Sequence, residues 1–378
     1  MSDTSTTLRQ YPLPDKRKKT INLSPPSTTS ISEKIDEKSE SIAVDKFIES
    51  QVDLVSKSNI ERWINSLTSF HNRHSKSVYN HQVASWLKKE LEISGYKDKD
   101  KIKYDEDRDK YKDVVFFHQF KENGLELKNV ICHKQGETNK IILICGHYDT
   151  ILGDNIEDTV SRAPGANDNA SGVAAILEIA RILFSVNLKH SIRFVLFSGE
   201  EQGLRGSEHY ADAITKKNED LALLINLDMI GIPDYHEIKT TIEKENMIVQ
   251  HNFSAIKKTI QIDVDKKFEN QPSCNEIKEN DEESDRYGTI MEQMALNYTD
   301  IKGKKGSVYS SDYCPFEARG YVVIGAYDQS AEPDNPHYHS CSDVPANLDM
   351  EFLASVSKMV LATILYVSRP IILVAYFL

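Results

Sequence analysis

Two adjacent glutamates follow an apolar run that resembles a buried strand, where two like charges would be unfavourable. The segment FVLFSGEEQGLRGSEHY (194–210) opens with an apolar run and then places Glu200 next to Glu201. Like charges repel, and an unpaired buried carboxylate is costly, so the pair needs either open water or nearby positive charge. A bound metal cation would supply that charge, and the rest of the chain tests this idea.

Residues of the types that bind metal ions stand close to the ends of the other apolar runs. They are His147 and Asp149 after IILICG, Asp168 in PGANDNASG, Asp228 after LALLINL, and His337 and His339 in NPHYHSCSD. A single residue of this kind is more often a turn, cap or surface residue than a metal ligand. Because the set recurs at equivalent places, we expect its members to form one site.

This set of donors suits zinc, which binds imidazole nitrogen and carboxylate oxygen. Two histidines and three carboxylates can hold two zinc ions if one carboxylate bridges them, and paired metal ions are a known hydrolytic arrangement. One glutamate of the Glu200–Glu201 pair then remains to act as general base toward the attacking water. Asp149 lies two residues after His147 and is placed to accept the second N–H of its ring.

The residues between these motifs predict the elements that would bring them together. Buried apolar strands alternate with helices, which indicates a parallel sheet with helices on both faces. The predicted strands are 113–120, 127–133, 141–146, 192–198, 221–227 and 321–328, and the predicted helices are 172–184, 204–215 and 350–368. In open sheets of this kind, ligands bind at the carboxyl ends of the strands.

Composition predicts one large domain with less regular segments around it. Residues 1–44 are polar and are interpreted as a disordered tail, and residues 45–368 form the predicted domain. The acidic stretch at about 254–290 is interpreted as a surface insertion. The last helix is ended by Pro370, which leaves 369–378 as an apolar C-terminal tail.

Charge and cysteine content narrow the classes of function. The formal net charge of −12 argues against nucleic acid as a partner. No apolar segment reaches ~18 uninterrupted residues, so a membrane span is not expected. Five irregularly spaced cysteines do not suggest a disulfide framework, and Cys145 reads as a core residue. The N-terminus lacks an apolar leader, which favours the cytosol and leaves export by another route open.

The motifs, taken in order, resemble those of co-catalytic zinc exopeptidases of the bacterial leucyl aminopeptidase type, metallopeptidase family twenty-eight. The resemblance runs from LTSFHNRHSKS (67–77) through PGANDNASG and SGEEQGLRGSEHYA to NPHYHSCSD and the last helix. It implies the zinc exopeptidase fold, an α/β fold with three α/β/α layers around a mixed, mainly parallel, twisted central sheet.

The resemblance also implies a role for each residue of the set. The five zinc ligands would be Asp168 as the bridge, His147 and Asp228 on one ion, and Glu201 and His339 on the other. Glu200 would be the general base, and Asp149 would orient the ring of His147. The spacing of the family's last motif selects His339 over His337. A cis peptide bond is expected after Asp168.

The implied activity is zinc-dependent hydrolysis of the N-terminal peptide bond of peptides with a free N-terminus. In the family an apolar pocket holds the first side chain, which suggests a preference for residues such as Leu. Met229 and Tyr327 fall at places that match this pocket. Relatives often have Ser-Asp-His where this chain has Ser-Asp-Tyr313, so that histidine is absent here.

Three alternatives to an aminopeptidase stay open. A carboxypeptidase or dipeptidase would need a cation for the substrate carboxylate, and Arg162, Arg205 and Arg319 are unassigned. A glutaminyl cyclase would use one zinc ion and usually lacks the motif context present here. A catalytically inactive binding domain would be expected to have lost ligands or the base, which this chain keeps. The sequence leaves the oligomeric state undetermined.

Overall fold

The structure is a computed structural model in which residues 31–101, 112–233, 258–268, 271, 273–275, 277–331 and 335–370 are described. By internal contacts the chain divides into a unit of residues 1–42 and a unit of residues 43–378. Helix α1 (Ile31–Val52) contains the predicted domain boundary at residue 44, so the chain is helical there. Residues 1–30 and 371–378, to which the two predicted tails largely belong, lie outside the described residues.

The described elements alternate along the chain much as the sequence predicts. The further helices are α2 (Lys57–Ser69), α3 (Val78–Ile93), α4 (Gly172–Leu183), α5 (Arg205–Lys216), α6 (Asp281–Tyr298), α7 (Cys314–Glu317) and α8 (Met350–Ser368). The strands are β1 (Lys97–Asp98), β2 (Val114–Glu122), β3 (Leu125–Lys134), β4 (Thr138–His147), β5 (His190–Phe197), β6 (Leu221–Leu227), β7 (Thr259–Val264), β8 (Lys302–Ser307) and β9 (Val323–Tyr327).

These strands form one mixed sheet in the order β1-β2-β3-β5-β4-β6-β9-β7-β8. Its centre is parallel, because β4 pairs with β5 and β6 in parallel and β6 pairs with β9 in the same way. The antiparallel pairs are β2 with β3, β3 with β5, and β7 with β9. The carboxyl ends of the four central strands therefore meet at one edge, as the predicted α/β fold requires.

Apolar side chains cover both faces of the sheet. Along β4, Ile142 and Ile144 join the larger core cluster, which includes residues of α2, α3, α4, α6 and α8. The alternate residues Ile141, Leu143 and Cys145 join a second cluster with residues of α5 and α7. Since successive strand residues point to opposite faces, a strand buried on both sides must be apolar throughout. The result is three layers, with the sheet between two layers of helices.

Helix α8 has the bounds predicted from the sequence. Asp349 caps its N-terminus, where the carboxylate accepts the backbone N–H of Phe352 at 3.0 Å. Among the described helices it is the one long and apolar enough to cross a membrane, yet 67% of its most apolar window is buried within the protein. Packing in the larger core cluster accounts for this apolar character.

The predicted surface insertion at 254–290 is wrong for its described part. β7 (Thr259–Val264) is an internal strand of the sheet, and α6 begins at Asp281. The strand buries Ile260, Ile262 and Val264. The sequence did not predict it because these three apolar residues alternate with polar ones within a polar segment. Residues 234–257 lie outside the described part of the chain.

The structure contains a disulfide between Cys274 and Cys314, which the cysteine spacing did not suggest. The two residues are 40 positions apart, and the fold brings the segment before α6 against the start of α7. The preference for the cytosol, which came from the N-terminal sequence, stays a prediction. Cys145 is free and fully buried, as a core residue should be.

Candidate metal centre

Acidic residues and a histidine lie at the carboxyl ends of three central strands, at the same edge of the sheet. His147 is the last residue of β4, the Glu200–Glu201 pair follows β5, and Asp228 follows β6 directly. Asp168 belongs to the irregular helical turn Ala166–Ser171 that leads into α4. His339 joins them from the loop before α8, where its carbonyl accepts the backbone N–H of Gly153 at 2.7 Å.

Asp168 lies between the two histidines and directs one carboxylate oxygen to each. Its Oδ1 is 3.2 Å from Nε2 of His147, which is also 3.2 Å from Oδ1 of Asp228. Its Oδ2 is 3.0 Å from Nε2 of His339, which is 3.1 Å from Oε2 of Glu201. The donors therefore form two groups of three that share a single carboxylate.

The spacing of these donors fits zinc. Donors on a tetrahedral zinc ion stand ~3.3 Å apart, given bonds of ~2.0–2.1 Å. Ligand atoms of His147, Asp168 and Glu201 all lie within 4.8 Å of one another. Nε2 of His339 makes no well-directed hydrogen bond, although two carboxylate oxygens lie within 3.1 Å, and Oε1 of Glu201 also has none. The donor atoms of each group lie close around a shared point, as ligands of a cation do.

The loop carrying Asp168 is fixed by side-chain amides that reach the neighbouring strand ends. Asn169 donates to the carbonyl of Leu227 at 2.9 Å and accepts the N–H of Met229 at 3.2 Å. Asp343 accepts the backbone N–H groups of Asn167 and Asp168 at 2.9 and 3.0 Å. The Asp168–Asn169 peptide bond is cis, which confirms the prediction from the resemblance. The backbone around Asp168 is thus held from both sides.

Asp149 fixes the turn that carries the two glutamates. Its two oxygens accept the backbone N–H groups of Glu200 and Glu201 at 3.2 and 3.3 Å. The turn begins at Gly199, whose φ of 80° is rarely adopted by other residues. Oδ1 of Asp149 is 3.8 Å from Nδ1 of His147, which is too long for the predicted hydrogen bond. The carboxylate therefore positions the Glu200–Glu201 backbone most directly.

The site holds more acidic side chains than histidines, so it has an excess of negative charge. Burial raises the pKa of Glu201 to about 7 and the pKa of Glu200 well above its usual range. Burial lowers the pKa of His339, but Asp168 and Glu201 outweigh this effect and raise it to about 10. The carboxyl groups of the two glutamates thus favour the protonated form, and the imidazole favours its charged form. Both shifts indicate that the site would be stabilised by additional positive charge. Bound cations would reverse these shifts.

Arg73 is a residue that sequence reasoning missed. Its side chain is fully buried and donates to the carbonyls of Tyr148 at 2.7 Å and Gly165 at 2.9 Å. It also donates to the carbonyl of Pro164. These carbonyls belong to the segments carrying Asp149 and Asp168, so Arg73 ties the two segments together. Arg73 lies in the 67–77 segment of the resemblance, but no sequence signal marks it as buried.

We expect Arg73→Met to lower the free energy of unfolding by about 3 kcal/mol or more, because several buried carbonyls lose a charged donor. Urea unfolding in the presence of a zinc chelator would measure this without a contribution from bound metal. Arg286→Met is the matched control, since Arg286 and Glu283 form an exposed pair whose loss should cost below ~1 kcal/mol. Equal effects of both substitutions would contradict the role of Arg73.

A cavity of about 510 Å³ opens beside Asp228. Met229 and Tyr327, both predicted to line the substrate pocket, are among its lining residues. The other lining residues are Gln261, Asp263, Gln271, Ser307, Tyr309, Ser310, Ser311, Tyr313, Gln329, Ala331 and Tyr338. Most of these residues carry a polar group on an apolar or aromatic stem, so the cavity offers both polar and apolar surface.

The segment Ser311-Asp312-Tyr313 connects the metal centre to this cavity. Ser311 donates its hydroxyl to Oδ2 of Asp228 at 2.6 Å. Tyr313 stands where relatives often have histidine, and its hydroxyl donates to Oδ2 of Asp263 at 2.9 Å. His337 faces away from this arrangement, with Nδ1 2.7 Å from the hydroxyl of Ser342. The fold and the site together define a metal-binding protein of the open α/β class.

Comparison with known proteins gives this class a family. Residues 129–364, more than half of the chain, match the model of peptidase family M28, and the chain belongs to that family. The chain is 33% identical over 193 residues to a probable zinc metalloprotease from Pyrenophora tritici-repentis, covering 47% of this chain and 42% of that protein. It is 29% identical over 194 residues to leucine aminopeptidase 1 from Arthroderma gypseum, covering 49% and 48%.

The chain thus spans less than half the length of these two relatives. Its fold is similar to that of LapA aminopeptidase from Legionella pneumophila, with a TM-score of 0.64 at 19% identity, over 85% of this chain and 75% of that one. At that identity the likeness shows the fold alone. Zinc is the metal that the name of the first relative indicates, and the donor set described above agrees with zinc.

Proposed function

We propose that the chain is a zinc-dependent aminopeptidase, which hydrolyses the N-terminal peptide bond of substrates with a free N-terminus. The observation that carries the proposal is the Asp168 carboxylate, whose two oxygens face two different histidines. That arrangement supports two zinc ions sharing one bridging ligand. Family membership and the name of the leucine aminopeptidase relative support the choice of reaction.

In this proposal each group of three donors holds one zinc ion. The ligands are His147, Asp168 and Asp228 for one ion and His339, Asp168 and Glu201 for the other. When bound, zinc supplies Lewis-acid activation of water and of the scissile carbonyl group. Ser311 and the Asp343-anchored loop keep the carboxylate ligands in place.

Glu200 is the carboxylate that these two groups leave over. Its backbone is held by Asp149, and a carboxylate that binds no zinc ion itself can accept and return a proton. We assign it as the general base. It takes a proton from the water that attacks the carbonyl carbon and then delivers a proton to the leaving amine nitrogen.

The charge around the cavity favours an aminopeptidase over a carboxypeptidase. A substrate carboxylate would need a cation, yet none of the described residues lining the cavity is Lys or Arg. Arg319 is paired with Glu208 and Asp212, and Arg205 lies 3.4 Å from Glu122. A cavity whose described lining includes carboxylates and no arginine is suited to the amino end of a peptide.

Hydrolysis of leucyl- and lysyl-p-nitroanilide, each beside its N-acetylated form, would test the proposal. We expect the zinc-loaded protein to cleave at least one free-amine compound, neither acetylated compound, and nothing after removal of zinc by a chelator. Cleavage that survives complete removal of metal would contradict the zinc mechanism. Release of the C-terminal residue from N-blocked peptides would establish a carboxypeptidase instead.

A further inference from the structure

The cavity beside Asp228 has a built polar wall. In β7, Ile260, Ile262 and Val264 belong to the larger core cluster, whereas the alternate residues Gln261 and Asp263 line the cavity. The strand thus presents its apolar side to the helices and its polar side to the cavity. A pocket for an apolar substrate side chain would not need polar residues such as Gln261 and Asp263 at these two positions.

Asp263 is the buried carboxyl group of this wall, and burial raises its pKa to about 7. It is 2% exposed, and its two oxygens accept hydrogen bonds from Nε2 of Gln261 at 2.6 Å and the hydroxyl of Tyr313 at 2.9 Å. Gln261 is held in turn by a hydrogen bond from Gln329. Gly325 lies opposite on β9, where a Cβ atom would come within 3.1 Å of Asp263 and 2.9 Å of the Tyr313 ring. The neighbouring residues thus hold the carboxylate while leaving it without a cation.

The cavity adds aromatic surface to this charge. Four tyrosines line it: Tyr309, Tyr313, Tyr327 and Tyr338. Aromatic faces attract ammonium and guanidinium groups, more strongly where water is excluded. Neither Lys nor Arg occurs among its described lining residues, so none of these residues brings a competing cation. Its volume lies within the range of pockets that hold small-molecule ligands.

We propose that this cavity binds the cationic side chain of the substrate's first residue, lysine or arginine, with Asp263 as its counter-charge. The inference rests on the proposed aminopeptidase function and specifies its substrate class. A leucine side chain would offer Asp263 no counter-charge, although the hydrogen bonds from Gln261 and Tyr313 would remain. A glutamate side chain would meet Asp263 with the same charge.

The sharpest test compares substrates that differ only in the charge. Lysyl- and norleucyl-p-nitroanilide have side chains of nearly equal length, and norleucine lacks the ammonium group. Arginyl- and citrullyl-p-nitroanilide form a second pair. We expect kcat/KM to favour the cationic member by about 10- to 100-fold, the effect of one hydrogen bond to a charged group. A preference for norleucyl over lysyl would overturn the proposal.

Asp263→Asn should remove this preference while keeping the size of the side chain. We expect kcat/KM for lysyl-p-nitroanilide to fall about 10- to 100-fold and that for norleucyl to change less than threefold. Asp265→Asn is the matched control, because Asp265 is also fully buried but does not line the cavity. An equal fall for both substrates in Asp263→Asn would show a structural effect and refute the assignment.

A binding measurement separates failure of this inference from failure of the proposed function. Calorimetry with zinc-loaded protein would compare L-lysine with L-norleucine as ligands. Tighter binding of lysine, lost in Asp263→Asn, would support the cavity assignment even if no p-nitroanilide were cleaved, and only the aminopeptidase proposal would fail. Norleucine binding as tightly as lysine would reject the assignment, even in an active aminopeptidase.

Discussion

Glu200→Gln should lower kcat by about 10²- to 10⁴-fold while leaving the zinc content unchanged. The substitution keeps the shape of the side chain and removes its ability to accept a proton. Glu200 is the carboxylate of the Glu200–Glu201 pair that neither histidine contacts, so its loss should not release metal. Steady-state kinetics and metal analysis by mass spectrometry on the same preparation would measure both quantities.

The adjacent residue supplies the control for this prediction. Oε2 of Glu201 lies 3.1 Å from Nε2 of His339, so Glu201→Gln should weaken zinc binding as well as activity. The two isosteric substitutions would then separate the proton acceptor from the ligand, one losing only turnover and the other losing metal too. Turnover near the wild-type rate in Glu200→Gln would remove the base assignment, whatever the metal content.

The sequence allowed the central sheet and the convergence of its motifs to be predicted. β4, β5 and β6 are buried on both faces, so they read as continuous apolar runs whose ends are easily located. Because parallel strands end at one edge, His147, Glu201 and Asp228 could be expected together without knowledge of any side-chain position. Helix α8 could also be predicted, because its apolar residues recur at helical spacing and Pro370 follows it.

The supporting residues could not be predicted, because their roles depend on contacts between distant segments. Arg73 and Asp343 are ordinary polar residues in the sequence, and only the fold buries them against the loops of the site. β7 was missed because its pattern is short and lies in an acidic stretch. That error also hid Asp263, which only the pairing of β7 with β9 brings to the cavity beside Asp228.

Asp168→Asn should leave at most one of the two proposed zinc ions bound per chain, with a loss of activity at least as large as that of Glu200→Gln. An amide has a single good donor oxygen, so asparagine cannot face both His147 and His339 with equivalent oxygens as the carboxylate does. Asp265→Asn is the control, because Asp265 is also buried, accepts a hydrogen bond from Asn275 and is not one of the donors, so the zinc count should not change. Metal analysis after dialysis would give the zinc content of both variants, and circular dichroism would verify that each is folded. Two tightly held zinc ions in Asp168→Asn would exclude a bridging carboxylate and would require each ion to be held by separate ligands.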